Sequence, residues 1–497
     1  MSTVIIPLVA YLALTFALAL WAQRQSKHGS GVFEEYFLGS RSMGGFVLAM
    51  TIIASYTSAS SFVGGPGVAY RLGLGWVLLA MIQVPTTFLT LGVLGKRFAT
   101  LGRRLHAVTI TDFLYARYRS DGVVVLCSLA VLLFFAASML AQFIGGGRVF
   151  QAVTGCPYEV GLFIFGFSVV LYTTVGGFRA VVLTDALQGV VMLGASVVVF
   201  AAAVYSCGGM SSAMQSLKAI DPMLLSPSGA GGSIPAPFLL SFWVLVGFGV
   251  LGLPQTTQRC FGYRDSASMH SAMVMGTLII GFLLLFMHLS GVLGRVILPE
   301  LEAGDLVIPT LILKILPPFW AGVFLAGPLA AIMSTVDTML LLLSASIIKD
   351  LYVRYWLKND VARMPEKRIG RMTFFCTLAV GTLVFLAAFN PPDLLVWINL
   401  FAFGGLEAVF LWPVVLGMYW QKANAAGAIC SILCGTGVFV ALTVGKLSPM
   451  GMHPIVPSLA LSLLAFALGA RLGKPVPTDV IAIFWQGKPH ADFCRTL

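Results

Sequence analysis

The sequence predicts an all-α protein that crosses a membrane many times, and three observations lead to this fold class. Of the 497 residues, 58% are hydrophobic and only 10% are charged, and the mean hydropathy is +0.95. Soluble domains carry about 25% charged residues, so this composition is typical of a membrane protein. The hydrophobic residues form runs long enough to cross a bilayer as helices, whereas the alternating, strand-sized segments of a membrane barrel are absent from the sequence.

About thirteen transmembrane helices are predicted from these runs. The predicted spans are 4–22, 44–68, 74–95, 122–146, 158–175, 181–206, 237–255, 272–298, 318–345, 372–389, 394–418, 425–445 and 453–471. The first run has no positive residue before it and is followed by Arg24 and Lys27, which is the reverse of a signal peptide. We therefore expect it to remain as a span, with the N-terminus outside and the C-terminus in the cytoplasm.

The distribution of lysine and arginine supports this orientation. The lysines and arginines expected on the outer side are only six of the 30: Arg71, Arg148, Lys218, Arg295, Lys314 and Lys446. Cytoplasmic loops carry the excess of Lys and Arg in membrane proteins, so the net charge of +11 follows from topology, and no nucleic acid partner is expected. No nucleotide is expected either, because the sequence contains no Walker A motif.

The order of the spans indicates an inverted repeat. Spans two to six and seven to eleven are two runs of five helices, and an odd number of helices places the second run upside down relative to the first. Each run opens with a span interrupted by Gly and Pro, at Gly64–Gly67 and at Gly247–Pro254. Such paired interruptions indicate the binding site of a transporter.

The predicted units are the first helix and inner loop (1–43), the first repeat (44–206), an outer loop (207–236), the second repeat (237–418) and two peripheral helices with a short tail (419–497).

The segment Thr51–Tyr70 is rich in hydroxyl groups and contains the first interruption. Irregular backbone at membrane depth is tolerated where it lines a cavity, so this segment is interpreted as a binding site. The alternative is a kinked helix whose hydroxyls bond to their own turn.

In span nine, Ala331, Ser334, Thr335 and Thr338 share one helical stripe. Their oxygens suit a hard cation such as sodium, although small residues in close helix packing remain an alternative.

Three acidic residues, Asp185, Asp337 and Glu407, fall inside or at the rim of predicted spans, where ionisable residues are functional candidates. Asp337 lies beside the span-nine stripe. Asp185 is a candidate cation ligand, a helix-end anchor or a partner of Arg179. No role is assigned to Glu407.

Other polar residues within spans have two interpretations each. Gln142 suits a hydrogen-bonding solute or an interhelical bond. His288 is interpreted as a core histidine, and Trp76 as an anchor at the membrane interface.

Several glycine-rich and polar motifs resemble the sodium:solute symporter family over essentially the whole chain. They are Glu35–Gly45, Ser58–Gly67, Gly73–Gln83, Gly176–Gln188 and Ala330–Thr335. Two further segments, Phe403–Trp412 and His453–Ser458, are similar to the members of that family that transport pantothenate. The resemblance implies a leucine-transporter-type core of five plus five helices in spans two to eleven.

The resemblance also implies a sodium ion as the coupling ion. Its ligands would be the carbonyls of Ala54, Thr57 and Ala331 and the hydroxyls of Ser334 and Thr335. Some family members have a second cation site, whose positions match Asp185, Asp337 and Thr338 here. Two sodium ions, or sodium with a proton, are both compatible with this set.

A pantothenate anion would need hydrogen-bond donors around the first interruption. The candidate substrate-binding residues are Ser58, Ser60, Gly64, Gly65 and Gln142. The expected function is sodium-coupled uptake of pantothenate across the inner (plasma) membrane by alternating access. The alternatives are a sodium symporter for another small carboxylate, amino acid or sugar, a membrane sensor module, or a passive channel. An enzyme is not expected, because no nucleophile–base pair or metal set converges in the sequence.

Overall fold

The computed structural model describes residues 2–24, 43–105, 107, 109–301, 303–357, 366–390 and 395–486. Within these ranges, eleven helices are long and apolar enough to cross a membrane, and two further pairs of helices are each bent at a short break. Counting each bent pair as one span gives thirteen. The predicted all-α class and the number of spans are therefore confirmed. Most of the predicted inner loop within 1–43 and the end of the tail lie outside the described residues.

The main helices that the structure describes in the first half of the chain are numbered α1 to α8. They are α1 (Ser2–Arg24), α2 (Gly45–Tyr56), α3 (Ser60–Leu72), α4 (Leu74–Leu105), α5 (Ile110–Tyr118), α6 (Asp121–Thr154), α7 (Tyr158–Val175) and α8 (Ala180–Ser206). Helices α7 and α8 belong to one helical run of 49 residues. A straight helix of that length would measure about 74 Å, more than twice the thickness of the hydrocarbon core, so the run provides two spans.

The main helices that the structure describes in the second half are numbered α9 to α18. They are α9 (Met210–Ile220), α10 (Ala236–Gly252), α11 (Pro254–Phe261), α12 (Ser266–Ile297), α13 (Val307–Ile315), α14 (Pro318–Trp356), α15 (Glu366–Ala387), α16 (Leu395–Tyr419), α17 (Ala425–Val444) and α18 (Ile455–Leu472). Helices α4 and α14 extend about ten residues beyond the spans predicted for them. Each continues into a basic, amphipathic stretch that is too polar to be predicted as part of a membrane span.

The first break lies earlier than predicted. Helices α2 and α3 are bent by 72° relative to each other, and the residue that ends α2, Thr57, is extended with φ −72° and ψ 137°. Helix α3 then continues through Gly64–Gly67, so the predicted interruption at these residues is wrong. Pro66 lies in the first turn of the segment Gly65–Leu72, where the N–H that proline lacks would have no partner within the helix.

The glycines of α3 and α12 instead allow two backbones to approach closely. A Cβ atom on Gly67 would lie 2.5 Å from the carbonyl oxygen of Gly304, and one on Gly291 would lie 2.2 Å from the carbonyl oxygen of Pro66. A side chain cannot occupy these positions without moving a backbone. The Gly-rich motif is therefore required for helix packing rather than for a break.

We expect Gly291→Ala to lower the midpoint of thermal unfolding in detergent, because the added methyl group pushes α12 away from α3. Overpacking of this kind costs about 1–3 kcal/mol. Gly194→Ala is the matched control, since Gly194 is exposed on α8 and a Cβ there meets no atom within 4 Å. Alanine favours a helix over glycine, so the control should unfold at the same temperature or higher. Equal midpoints for the two variants would contradict this account of the packing.

The second break lies where the sequence predicts it. Helices α10 and α11 are bent by 45° at Leu253, which is extended with φ −90° and ψ 111°. Just before it, Gly247 has φ −85° and ψ −97°, which interrupts the helix again. Within the described ranges there are therefore two discontinuous helices, each at the start of one predicted five-helix run.

Candidate functional site

Five oxygen atoms meet where α14 passes the first break. The Ser334 hydroxyl donates to the carbonyl of Ala54 at 2.9 Å, and the Thr335 hydroxyl donates to the carbonyl of Thr57 at 2.8 Å. Both hydroxyls also lie within hydrogen-bond distance of the Ala331 carbonyl, at 3.2 and 2.9 Å. All five residues are buried. The structure thus brings together, as one cluster, the five residues that the family resemblance implies for sodium.

The position of this oxygen cluster favours a cation. Ala54 and Thr57 lie at the C-terminal end of α2, where free carbonyl groups carry the negative end of the helix dipole. Half-helix ends and unwound carbonyls of this kind coordinate sodium ions in transporters with discontinuous helices. The two hydroxyls of α14 can turn their hydrogens away and present lone pairs to a cation. The oxygen cluster is therefore a neutral cage at a negative helix end.

Gln142 stabilises the break rather than facing a solute. Its side-chain oxygen accepts a hydrogen bond from the backbone N–H of Ala59 at 2.7 Å, and its amide nitrogen donates to the Ser138 carbonyl at 3.2 Å. Both ends of the amide are therefore used within the protein. These contacts agree with the interpretation of Gln142 as a residue that forms interhelical hydrogen bonds.

A cavity lies beside the first break. It is partly open to solvent. Its polar lining residues are Tyr56, Ser58, Ser60, Ser61, Gln83, His288 and Asn399, and its aromatic walls include Trp76, Phe242 and Phe403. Ligand pockets usually combine apolar walls with a few polar groups, as this cavity does. Of the predicted substrate-binding residues, Ser58, Ser60 and Gly65 line this cavity, whereas Gly64 and Gln142 do not.

Trp76 lines the cavity and carries a buried hydrogen-bond donor without a described partner. Its indole N–H is buried and makes no hydrogen bond within the part of the chain that the structure describes. Only 4% of Trp76 is exposed, and its ring makes edge contacts with Phe242 and Trp397 at centroid distances of 5.7 and 5.8 Å. The interpretation of Trp76 as an interfacial anchor is therefore wrong.

His288 and Gln83 complete the polar lining. His288 Nδ1 lies 2.7 Å from the carbonyl oxygen of Leu284, so in a neutral ring Nδ1 carries the hydrogen and Nε2 is an acceptor. The Gln83 side-chain oxygen accepts from the Tyr56 hydroxyl at 2.9 Å, which leaves its amide N–H groups as donors. No charged residue is among those lining the cavity in the described ranges. A ligand there would be held by neutral donors and acceptors.

A buried ion pair lies on the other side of the oxygen cluster. Arg259 Nη2 lies 3.2 Å from Asp185 Oδ2, and their side chains are 2% and 0% exposed. From the sequence, Arg259 is expected in an inner loop, and Arg179 is a candidate partner of Asp185. The side chain of Arg179 lies outside the described residues. The sequence does indicate that Asp185 has a positive partner, because a buried carboxylate at membrane depth needs one.

The carboxylate of Asp337 faces a different helix. It accepts hydrogen bonds from the Tyr172 hydroxyl and the Thr173 hydroxyl, both on α7. Thr338, the next residue, instead accepts from Arg259 Nη2 at 2.8 Å. Of the three candidate residues for a second cation, Asp185 and Thr338 therefore converge on Arg259 Nη2, whereas Asp337 is bonded to α7.

Glu407 lies at the second break. It is fully buried on α16, and a Cβ atom on Gly249 would lie 2.6 Å from its Oε2 atom. Neither carboxyl oxygen has a hydrogen-bond partner among the described residues. Glu407 belongs neither to the cavity lining nor to the oxygen cluster.

A polar network joins α5 to the end of α14. Asp112 forms an ion pair with Lys349 and a longer one with Arg354 at 3.9 Å. The Thr109 hydroxyl donates to Asp350 Oδ1 at 3.0 Å. These contacts hold the two helices together at the end of the bundle to which α11 also leads.

Comparison with known sequences agrees with the motifs. Residues 36–435 match the model of the sodium:solute symporter family. The chain is 54% identical to the sodium/pantothenate symporter of Escherichia coli K12 over 479 residues, which cover 96% of this chain and 98% of that protein. It is 48% identical to the sodium/pantothenate symporter of Haemophilus influenzae, with 95% of this chain and 96% of that protein covered.

Comparison with solved structures shows the same fold. A sodium-coupled sialic acid symporter in a substrate-bound, outward-open state aligns with a TM-score of 0.78 at 18% identity, covering 96% of this chain and 99% of that one. A transporter of the nucleobase-cation-symport-1 family aligns with a TM-score of 0.55 at 17% identity, covering 93% of this chain and 97% of that one. The architecture is that of the leucine-transporter-type fold.

Proposed function

Because the chain belongs to the sodium:solute symporter family, we propose that it is a secondary active transporter that couples the uptake of pantothenate to the entry of sodium. The nearly full-length identity of 54% and 48% to two curated sodium/pantothenate symporters supports this substrate. The chain is a multi-pass membrane protein, and we place it in the inner (plasma) membrane.

The observation that carries this proposal is that one helix break serves two sites. Thr57 contributes its carbonyl to the oxygen cluster, and the next residue, Ser58, lines the cavity. A sodium ion bound by Ala54, Thr57, Ala331, Ser334 and Thr335 would hold α2 and α14 together and thereby fix the cavity wall. Sodium and solute then favour the same conformation, which is the thermodynamic requirement for coupling.

The lining of the cavity supports a small, polar anion with an apolar part. Pantothenate carries a carboxylate, an amide, hydroxyls and methyl groups. The Trp76 N–H, the Ser60 hydroxyl and the Gln83 amide are neutral donors for the carboxylate, and His288 Nε2 can accept from a hydroxyl. The bound sodium ion would supply the positive charge that the lining lacks.

The orientation of the transporter follows from its charge distribution. The excess of Lys and Arg in the predicted inner loops supports an outer N-terminus and an inner C-terminus. In this orientation, the cavity lies between the first break and the outer ends of α3 and α4. The network of Asp112, Lys349 and Arg354 would then close the inner side of the bundle and open during alternating access.

Uptake of radiolabelled pantothenate into proteoliposomes tests this function. We expect accumulation above the outside concentration only when sodium is higher outside than inside. Equilibration without accumulation under the same gradient would indicate a passive channel. Absence of pantothenate uptake, together with sodium-driven uptake of another small carboxylate, amino acid or sugar, would assign the chain to a different substrate.

We expect Trp76→Phe to raise the KM for pantothenate while leaving the sodium dependence unchanged. Phenylalanine keeps the aromatic wall but removes the unpaired indole N–H. The net value of a neutral hydrogen bond is about 0.5–1.5 kcal/mol, so the KM should rise about 2- to 12-fold. Trp320→Phe is the control, because Trp320 is an exposed residue of α14 that does not line the cavity. An unchanged KM in the Trp76 variant would remove this residue from the substrate site.

A further inference from the structure

The guanidinium of Arg259 is surrounded by side-chain oxygens from three helices. Nη2 lies 3.2 Å from Asp185 Oδ2 on α8 and 2.8 Å from Thr338 Oγ1 on α14, and Nε donates to Ser55 Oγ on α2 at 3.0 Å. A further hydroxyl, that of Thr51, donates to Asp185 Oδ2 at 2.6 Å. One carboxylate and neutral hydroxyls form this set, which is also the chemistry of a site for a hard cation.

Some of these oxygens belong to α2 and α14, the same helices that form the oxygen cluster proposed to bind sodium. Ser55 follows Ala54 on α2, and Thr338 lies one turn beyond Ser334 and Thr335 on α14. Ser55 Oγ and Thr338 Oγ1 are 3.5 Å apart, so α2 and α14 are in contact there as well as at the oxygen cluster. The chain therefore builds two adjacent positions for positive charge, and Arg259 reaches the second of them from the end of α11.

The buried charges support one mobile cation beside Arg259. Arg259 pairs with the carboxylate of Asp185, so a positive charge already occupies this position among the described residues. A second sodium ion would add an uncompensated positive charge next to Arg259, where the low dielectric makes repulsion strong.

We propose that Arg259 is a built-in cation, which takes the second cation position between α2, α8 and α14 and limits this transporter to one sodium ion per cycle. This inference rests on the proposed function and resolves its ion stoichiometry. It also gives Asp185 and Thr338 a role as partners of Arg259 rather than as ligands of a transported ion. Removal of the guanidinium should open the position to a second sodium ion.

Equilibrium binding of radioactive sodium to the purified full-length protein tests the inference without any assumption about the substrate. We expect one bound sodium ion per chain in the wild-type protein and two in Arg259→Ala. Adding Asp185→Asn to that variant should return the count to one, because the carboxylate is then lost. Arg264→Ala is the matched control, since Arg264 is an exposed arginine that pairs with the adjacent Asp265, and its count should stay at one.

Transport gives a second readout of the same prediction. The Hill coefficient for sodium in pantothenate uptake should be about one in the wild-type protein and should rise towards two in Arg259→Ala. Arg259→Lys retains the positive charge and should keep a coefficient of one.

Two sodium ions bound to the wild-type protein, or one bound to a folded Arg259→Ala variant, would overturn the inference. A wild-type count of two overturns it even where the alanine variant does not fold. A wild-type chain that binds no sodium would refute the proposed function itself, whereas the inference alone fails when the wild-type protein binds two.

Discussion

Replacement of both Ser334 and Thr335 by alanine is expected to abolish sodium-driven accumulation of pantothenate. Their hydroxyls are the only side-chain oxygens in the proposed sodium cluster, and each bridges α14 to a carbonyl of the broken helix α2. A hydrogen-bonding or ligand interaction with a charged group contributes about 1.5–3 kcal/mol. Each single variant should therefore raise the half-saturating sodium concentration about 10- to 150-fold, and the double variant should exceed any practical concentration.

Uptake of labelled pantothenate as a function of sodium concentration checks this result. Ser344→Ala is the matched control, because Ser344 is another buried serine of α14 whose hydroxyl bonds to the Leu340 carbonyl at 2.7 Å, away from the break. It should keep the wild-type sodium dependence. Full-rate uptake that does not depend on sodium in both single variants would refute the assignment of the cluster.

Asp185→Ala is expected to destabilise the protein strongly. The substitution leaves the guanidinium of Arg259 buried without its carboxylate, and breaking a buried ion pair in this way costs about 3–5 kcal/mol. A large fall in the midpoint of thermal unfolding in detergent should follow. The loss should be much smaller when the pair is replaced as a whole by Asp185→Leu and Arg259→Met, since apolar residues of similar size need no charge compensation.

A surface ion pair provides the control for this prediction. Arg119 and Asp479 lie 2.9 Å apart, but their side chains are 28% and 41% exposed. Asp479→Ala should cost at most about 1 kcal/mol, because solvent screens the remaining charge. A similar fall in the unfolding midpoint for Asp185→Ala and Asp479→Ala would show that the buried pair is not required for stability.

The oxygen cluster proposed to bind sodium illustrates how much of a candidate site a sequence can predict. The stripe of Ala331, Ser334 and Thr335 follows from helical spacing alone, because residues three and four apart share one face. The residues of the broken helix opposite them were implied only by the family resemblance. The break itself was placed at Gly64–Gly67, but it lies at Thr57, since the glycines serve packing against α12 and the Gly304 backbone.

The cavity shows the opposite case. Trp76 and His288 line it, but a tryptophan near a span end and a single histidine within a span have no distinctive sequence pattern. Their roles depend on which helices pack around them. The hydrogen bond between Gln142 and the backbone of Ala59 likewise depends on helix packing. Spacing along one helix does not indicate which side of that helix faces a cavity.

The sequence alone determined the membrane class, the number of spans, the two discontinuous helices and the family, because these depend on composition, local periodicity and contiguous motifs. The tertiary structure decided where the first helix breaks, which side chains enclose the cavity and that Arg259 neutralises Asp185. These features arise from contacts between residues far apart in the chain, such as the pair at positions 185 and 259. A buried charge must find its partner in space, and only the packed helices show which one it finds.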